Sequence, residues 1–140
     1  MIELDNTTSL EVNEELLNTI ASSMTNKDIE LIITSKEQMQ EINKAQRGID
    51  ASTDVLSFPY EDMPMAPLGS IVISDEHVKS VAKSLKHSCE DEMALLFIHG
   101  LLHLLGYDHE VDAGEMRDEE KRLIKEFDLP DSLIIRNEEI

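Results

Sequence analysis

The stretch from Glu90 to Leu105 constrains the fold of this 140-residue chain more than any other, because it is apolar on nearly every side. A helix without a continuous polar face belongs in the middle of a domain rather than on its surface. The end of this stretch runs into the segment HGLLHLLGYDH, which begins at His99 and holds three of the five histidines of the chain. The central helix is therefore also the expected place of the chemistry.

The spacing of these three histidines is typical of a metal site. His99 and His103 are four residues apart, so a helix places them on one face, one turn from each other. His109 follows Gly106, a residue that can end the helix and turn the chain back. Three neutral imidazoles arranged in this way can bind Zn²⁺ and leave a fourth position for water. The run predicts a metal-dependent hydrolase with one zinc ion per chain, or another divalent metal in its place.

One position separates this run from the metzincin signature H-E-x-x-H-x-x-G-x-x-H. Gly100 stands where those proteases carry the glutamate that acts as general base. A glycine inside a helix costs about 1 kcal/mol relative to alanine, so we expect something to need the space, such as a sugar-phosphate approaching the metal. A metallopeptidase stays open as an alternative, because metal-bound water can approach a neutral pKa without the glutamate.

The remainder of the chain predicts short strands among amphipathic helices. Strands that do not alternate strictly with helices favour the α+β class, here a small mixed β-sheet packed with four to five helices in a single domain over 1–140. The Ile71–Ile73 segment is a continuous apolar centre, as expected of a strand covered on both faces. The predicted strands are Ile29–Thr34, Thr53–Phe58 (halted by Pro59) and Gly69–Ser74, and the other predicted helices are Asn13–Met24, Lys36 to about Ala45, Asp75 to about Lys86, and about Ala113 to Phe127.

Composition indicates the surroundings in which the chain works. Its formal net charge of −18 repels nucleic acid at long range and suits a basic protein partner. No apolar run approaches the ~20 residues that cross a bilayer, and the first residues carry acids where a secretory signal would carry Lys or Arg. The single cysteine, Cys89, cannot form an internal disulfide. We therefore expect a cytoplasmic protein without membrane attachment.

Other charged residues are candidates for binding or orientation. Lys79, Lys83 and Lys86 fall at helical spacing, which predicts either a solvated face or an edge that contacts phosphates. Arg47, which we place just beyond a helix end, is either a surface arginine or a functional one. Asp108 either orients a ligand imidazole or makes a structural turn contact.

Three motifs together resemble those of the YbeY family of bacterial rRNA maturation factors. HGLLHLLGYDH is similar to that family's H-G-x-L-H-L-x-G-Y-D-H, and NKAQRGIDASTDVLSFP, from Asn43 to Pro59, is similar to its N-x-x-x-R-x-x-D-x-x-T-D-V-L-S-F-P. GSIVIS is similar to its L-G-D-I-x-I-S strand. Two departures exist, since Ser70 replaces the usual Asp and Ala51-Ser52 replaces the usual Lys-Pro.

The resemblance implies a specific activity. It implies a small α+β domain with a mixed sheet and the metal site at the end of the central helix. It implies a single-strand-specific endoribonuclease that acts in 16S rRNA 3′-end maturation and ribosome quality control. Zinc would be held by His99, His103 and His109, and the family's important arginine would be Arg47. The implied partners are rRNA in the small ribosomal subunit, a ribosomal protein and an assembly GTPase.

Our hypothesis for the mechanism gives separate roles to the metal and to Arg47. The metal polarises a phosphodiester oxygen or activates water, while the guanidinium stabilises negative charge in the transition state, and the lysine stripe guides phosphates. Few aromatic residues are available to stack bases, so we expect a partner to present the RNA. Besides a metallopeptidase, a non-catalytic ribosome-assembly factor with structural zinc stays open; four protein ligands would favour it.

Overall fold

The chain forms a mixed four-stranded sheet with helices on both faces, as seen in a computed structural model that describes residues 1–61, 63–108 and 110–130. This architecture confirms the expected α+β class. The strands and helices follow one another in the order β1 (Ile2–Asn6), α1 (Glu14–Met24), β2 (Ile29–Thr34), α2 (Lys36–Arg47), β3 (Val55–Pro59), β4 (Gly69–Ser74), α3 (Asp75–Leu85), α4 (Cys89–Leu104) and α5 (Glu115–Phe127).

The strands lie in the order β1-β2-β4-β3. β1, β2 and β4 run parallel, and β3 is antiparallel to β4. Every residue of β4 is buried, as its continuous apolar centre predicts for a strand covered on both faces. The antiparallel β3 is left at one end of the sheet, which is where the candidate site develops.

Alternate side chains of the central strands enter two different cores. Leu31 and Ile71 belong to the larger core, which also holds buried residues of α1, α4 and α5. Val72 points to the opposite face, where it packs with Met39 of α2 and Leu56 of β3. Full burial of an aliphatic side chain contributes about 1.5–3 kcal/mol, so the larger core dominates the stability of the fold.

Helix α4 is the central helix that its composition predicts. Its residues from Glu92 to Ile98 are all buried. The side chain of Ser88 caps its first turn by accepting a hydrogen bond from the amide of Asp91, and the acidic residues of that turn face the positive end of the helix dipole. The helix begins at Cys89 and ends at Leu104, each one residue before the predicted position.

Strand β1 was not predicted. Ile2 is buried and pairs with Ile29, while Glu3 is exposed. Five residues with this alternation and two acidic side chains give a weak pattern, and the strand depends on its parallel pairing with β2. Such a pairing joins residues far apart in the chain, so the local sequence does not reveal it.

Two predicted boundaries are wrong in ways that bear on the site. Helix α2 continues to Arg47, where Gly48 ends it in the left-handed conformation (φ 70°) that glycine adopts readily. Arg47 therefore lies in the last helical turn and not beyond it. Strand β3 includes Pro59 instead of stopping before it, because Pro59 sits where a backbone donor to β4 is not required. No described helix is long and apolar enough to cross a bilayer.

Candidate active site

Helix α4 projects His99 and His103 from one face, as their spacing predicts. Their Nε2 atoms lie 3.2 Å apart, and the two rings meet edge to face with centroids 4.8 Å apart. Both side chains line the same cleft. The two imidazoles are therefore aimed at a common point.

The partners of the two Nδ1 atoms define the tautomers of these rings. His103 Nδ1 lies 3.0 Å from the carbonyl oxygen of Tyr107, which can only accept a hydrogen bond, so Nδ1 carries the proton. His99 Nδ1 lies 3.1 Å from Oε1 of Glu120, and an ionised carboxylate likewise only accepts. In each neutral ring the lone pair then resides on Nε2, the atom that faces the other histidine.

Two nitrogen lone pairs at 3.2 Å repel each other unless a cation lies between them. Two nitrogens bound at about 2.0–2.1 Å by a tetrahedral zinc lie roughly 3.3 Å apart, so the observed separation fits such an ion. The third predicted ligand, His109, lies outside the described residues. Among residues 1–61, 63–108 and 110–130, no group of three or more potential ligands assembles, and the complete triad stays a prediction.

Glu120 is a site residue that the sequence analysis missed. It lies on α5 at only 1% exposure, and its Oε2 finds no hydrogen-bond partner within the described residues. A buried carboxylate is costly unless positive charge lies nearby, and a metal-bound imidazole at His99 would supply that charge. Its signal was present in the sequence, since Glu120 shares the apolar face of its helix with Met116 and Leu123.

Arg47 lies in the same cleft as the two histidines, although it precedes His99 by 52 positions in the sequence. The cleft has a volume of about 530 Å³ and also includes Val55, Ser57 and Asp108. The exposed guanidinium makes no hydrogen bond or ion pair within the part of the chain that the structure describes. It is therefore available to an anion bound in the cleft.

Asp108 lines the cleft, but the hydrogen bonds that it accepts come from the turn that follows it. Its Oδ1 accepts a hydrogen bond from the amide of Glu110 at 3.1 Å, and its carbonyl oxygen accepts from the amides of Val111 and Asp112. The structural turn contact proposed as one alternative is thus observed. The orienting contacts to His99 and His103 come instead from Glu120 and Tyr107.

The lysine stripe lies apart from this cleft. Lys79 and Lys83 are on α3, Lys86 caps its end, and all three are exposed. None of them lines the cleft, and Lys79 lies 3.8 Å from Asp75 on its own helix. Their suggested contact with RNA stays a prediction, and it would involve a part of the substrate outside the cleft.

Gly100 faces the sheet and not the cleft. A Cβ at this position would lie 3.0 Å from Cγ2 of Ile71 and 3.0 Å from Oγ of Ser57. The Ser57 hydroxyl also donates a hydrogen bond to the carbonyl oxygen of Gly100 at 3.0 Å. The expectation that a sugar-phosphate uses this space is therefore wrong. The glycine instead lets α4 lie close against β3 and β4.

The comparisons with known proteins agree with the motifs. A family model described as Endoribonuclease YbeY matches residues 2–128. A protein named Endoribonuclease YbeY from Sulfurimonas denitrificans is 64% identical over 138 residues, covering 99% of each chain. One from Nautilia profundicola is 55% identical over 139 residues, covering 99% of this chain and 100% of the relative. The solution structure of TM1509 from Thermotoga maritima is similar with a TM-score of 0.62 and 27% identity, over 91% of this chain and 89% of that one.

Proposed function

Because the chain belongs to the endoribonuclease YbeY family, we propose that it cleaves single-stranded RNA by metal-assisted hydrolysis in the cleft lined by His99, His103 and Arg47. Membership confirms the expectation of a hydrolytic enzyme of the endoribonuclease class. The observation that carries the proposal is the pair of Nε2 atoms 3.2 Å apart, in one cleft with an uncommitted guanidinium.

The metal in this proposal is zinc, held by the imidazoles of His99, His103 and His109. When bound, the ion supplies a Lewis acid and lowers the pKa of a coordinated water. Glu120 and the Tyr107 carbonyl hold the protons on Nδ1 and keep the rings turned towards the ligand position. These contacts keep both rings in the tautomer whose Nε2 lone pair can bind the metal, so neither ring has to turn or move its proton when the metal binds.

Arg47 binds the scissile phosphate in this mechanism. Its guanidinium is always protonated, and its planar fork matches two phosphate oxygens. Negative charge on those oxygens grows as water adds, so the contact strengthens in the transition state. In a chain with a net charge of −18, an arginine in the cleft also offsets the repulsion that the phosphate meets.

The proposed substrate is the 3′ region of 16S rRNA, cleaved during maturation and ribosome quality control. The motif resemblance supports this role. Among the described residues that line the cleft, Tyr107 is the only Phe, Tyr or Trp, so stacking contributes little to the binding of free RNA. We propose that the small ribosomal subunit, through a ribosomal protein and an assembly GTPase, presents the strand, and that the protein works in the cytoplasm where ribosomes are assembled.

Peptide hydrolysis has less support. Gly100 occupies the position of the metzincin glutamate, and its Cα faces the sheet. The carboxylates that line the cleft, Asp54 and Asp108, each use Oδ1 to accept a backbone amide of a neighbouring residue. The open cleft beside the histidine pair also favours catalysis over a purely structural zinc.

The test is RNA cleavage by purified wild type, Arg47→Ala and His99→Ala, with zinc content measured for each protein. We expect both variants to lose cleavage of an unpaired oligonucleotide, and Arg47→Ala to keep its zinc. Lys44→Ala, which changes an exposed cation of α2 outside the cleft, is the matched control. Cleavage by both variants at the wild-type rate would refute the mechanism. Normal 16S 3′ ends in cells carrying His103→Ala would refute the rRNA role.

A further inference from the structure

Strand β3 closes the sheet at one end and has an open edge. In the order β1-β2-β4-β3, one side of β3 pairs with β4. The opposite side has no strand partner among the described residues. An unpaired edge presents backbone N–H and C=O groups to whatever lies beside it. Here the neighbouring space is the cleft of the candidate active site.

The hydrogen bonds at the two ends of the strand show which residues face outwards. The Ser74 amide donates to the Asp54 carbonyl at 3.0 Å, and the Tyr60 amide donates to the Leu68 carbonyl at 3.1 Å. Bonded and non-bonded residues alternate along an antiparallel pair, so Leu56 and Phe58 within β3, like Asp54 and Tyr60 just beyond its ends, bond to the neighbouring strand. The open edge is therefore formed by the backbones of the odd-numbered residues, Val55, Ser57 and Pro59.

This edge is rich in acceptors and poor in donors. The Val55 amide already donates to Oδ1 of Asp54 at 2.8 Å, and Pro59 has no amide hydrogen. The Ser57 amide is thus the single donor that the edge offers, whereas the carbonyl oxygens of Val55, Ser57 and Pro59 can all accept. No hydrogen bond within the described residues reaches these three carbonyls.

Such an edge is a poor site for a peptide strand. An added strand needs a donor for its own carbonyls at each outward residue, and two of the three donors are missing here. Each carbonyl of the added strand that found no donor would weaken binding, because it would give up its hydrogen bond to water without a replacement. Phosphate oxygens are also unsuited to a row of carbonyls, because both are negative. The edge instead suits a partner that brings amino or hydroxyl donors.

Unpaired nucleobases and ribose supply those donors. Adenine, cytosine and guanine carry exocyclic amino groups, and ribose carries the 2′-hydroxyl. In a duplex the amino groups are occupied by base pairing, and in a single strand they are exposed. We propose that the open edge of β3 reads the bases next to the scissile phosphate, with the Ser57 amide and the Val55 and Ser57 carbonyls as its contacts. The inference rests on the proposed RNA cleavage and supplies the physical basis of single-strand selection.

The test compares Ser57→Pro with Ser57→Ala. Both variants lose the hydroxyl bond to the Gly100 carbonyl, but only the proline removes the outward amide hydrogen. Pro59, which has the same outward orientation two residues away, shows that β3 accepts a proline at such a position. We expect kcat/KM for an unpaired cytidine oligonucleotide to be roughly five- to tenfold lower in Ser57→Pro than in Ser57→Ala, the effect of one hydrogen bond.

A second measurement uses the wild-type protein on cytidine and uridine oligonucleotides of equal length. The exocyclic amino group of cytosine carries two N–H donors, whereas uracil offers only the single N–H of its ring, so the acceptor-rich strand should favour cytidine severalfold. Equal rates for the two oligonucleotides, together with equal kcat/KM for Ser57→Pro and Ser57→Ala, would overturn the inference. If thermal melting shows Ser57→Pro to be unfolded, the ratio of wild-type cleavage rates on the cytidine and uridine oligonucleotides decides the inference alone, and a ratio of one overturns it.

Failure of the proposed function has a different signature. A metal-loaded wild-type protein that cleaves no oligonucleotide would refute RNA cleavage itself. Cleavage without base preference, together with equal kcat/KM for Ser57→Pro and Ser57→Ala, would refute only the role of the edge. Cleavage of an unstructured peptide mixture at a rate comparable to RNA would overturn the inference in favour of peptide binding at β3.

Discussion

Oε1 of Glu120 lies 3.1 Å from Nδ1 of His99 and joins helix α5 to the histidine pair on α4. Glu120 is buried at 1% exposure, and the His99 side chain, which lines the cleft, is 14% exposed. The contact holds the His99 ring in the tautomer that leaves its Nε2 lone pair towards His103. The packing of α5 therefore contributes directly to the geometry of the candidate site.

Glu120→Ala should weaken zinc binding about 10- to 100-fold, because a carboxylate behind a ligand histidine orients the ring and raises its basicity. Glu120→Gln should have a smaller effect, since its amide oxygen can still accept from Nδ1. Affinity can be measured by competition with a chromophoric chelator. Glu119→Gln, in an exposed ion pair with Arg122 on the same helix, is the control. Wild-type affinity in Glu120→Ala would contradict the assigned role.

Arg47→Ala should lower kcat about 10²- to 10³-fold, the range seen when one donor to a developing negative charge is removed. Stability should change little, because the side chain is exposed and makes no contact that stabilises the fold. Arg47→Lys should recover only part of the rate, since lysine lacks the planar fork. Lys44→Ala, in the same final turn but outside the cleft, is the control. A kcat for Arg47→Ala within twofold of wild type would exclude charge stabilisation by this residue.

Gly100→Ala should destabilise the protein even though alanine favours helices. The new Cβ would lie 3.0 Å from Ile71 and Ser57, and such overpacking costs about 1–3 kcal/mol. The gain in helix propensity is about 1 kcal/mol, so a net loss is expected. Unfolding in urea measures this change in the free energy of unfolding. The loss should be smaller when Ser57→Ala removes one of the two contacts. An alanine variant more stable than wild type would show that α4 is not tightly packed here.

The triple variant Lys79→Gln, Lys83→Gln, Lys86→Gln should cleave a short oligonucleotide within about twofold of the wild-type rate, because surface charges outside the contact region act weakly. These side chains do not line the cleft. With longer RNA, each lost phosphate contact should make the dependence of binding on salt shallower. Cleavage of short and long RNA across a salt series distinguishes the two cases. A tenfold loss of cleavage rate on the short oligonucleotide would contradict this expectation and show that the three lysines contact the RNA strand that is cleaved.

Tyr60 should titrate above the ordinary tyrosine value of 10.0. Its hydroxyl donates to Oε2 of Glu30 at 2.7 Å, and this hydrogen bond to the carboxylate is the main cause that raises the pKa. Since the folded pKa exceeds the unfolded one, the stabilisation is complete below pH 10 and is lost as pH rises through the folded pKa. Tyrosinate absorbance in a Tyr107→Phe background isolates the titration. Glu30→Gln should lower the measured pKa, and an unchanged value would refute the cause.

Local periodicity explains why much of this protein could be predicted. The faces of a helix depend only on spacing, so His99 and His103 were correctly placed together on a central apolar helix. The burial of β4 followed from its continuous apolar centre, and the cap of α2 followed from Ser35, whose side chain accepts from the Gln38 amide. The sequence motifs also led to the correct family.

Contacts between distant segments were decided by the tertiary structure. Strand β1 exists through its pairing with β2, and Glu120 reaches His99 only because α5 packs beside α4. Gly100 is required by the closeness of the sheet, a distance that no spacing along the helix encodes. The spacing of residues determined which side chains share a face, whereas the packing of whole elements determined what each face meets. That packing is the sum of many apolar contacts between segments far apart in the chain.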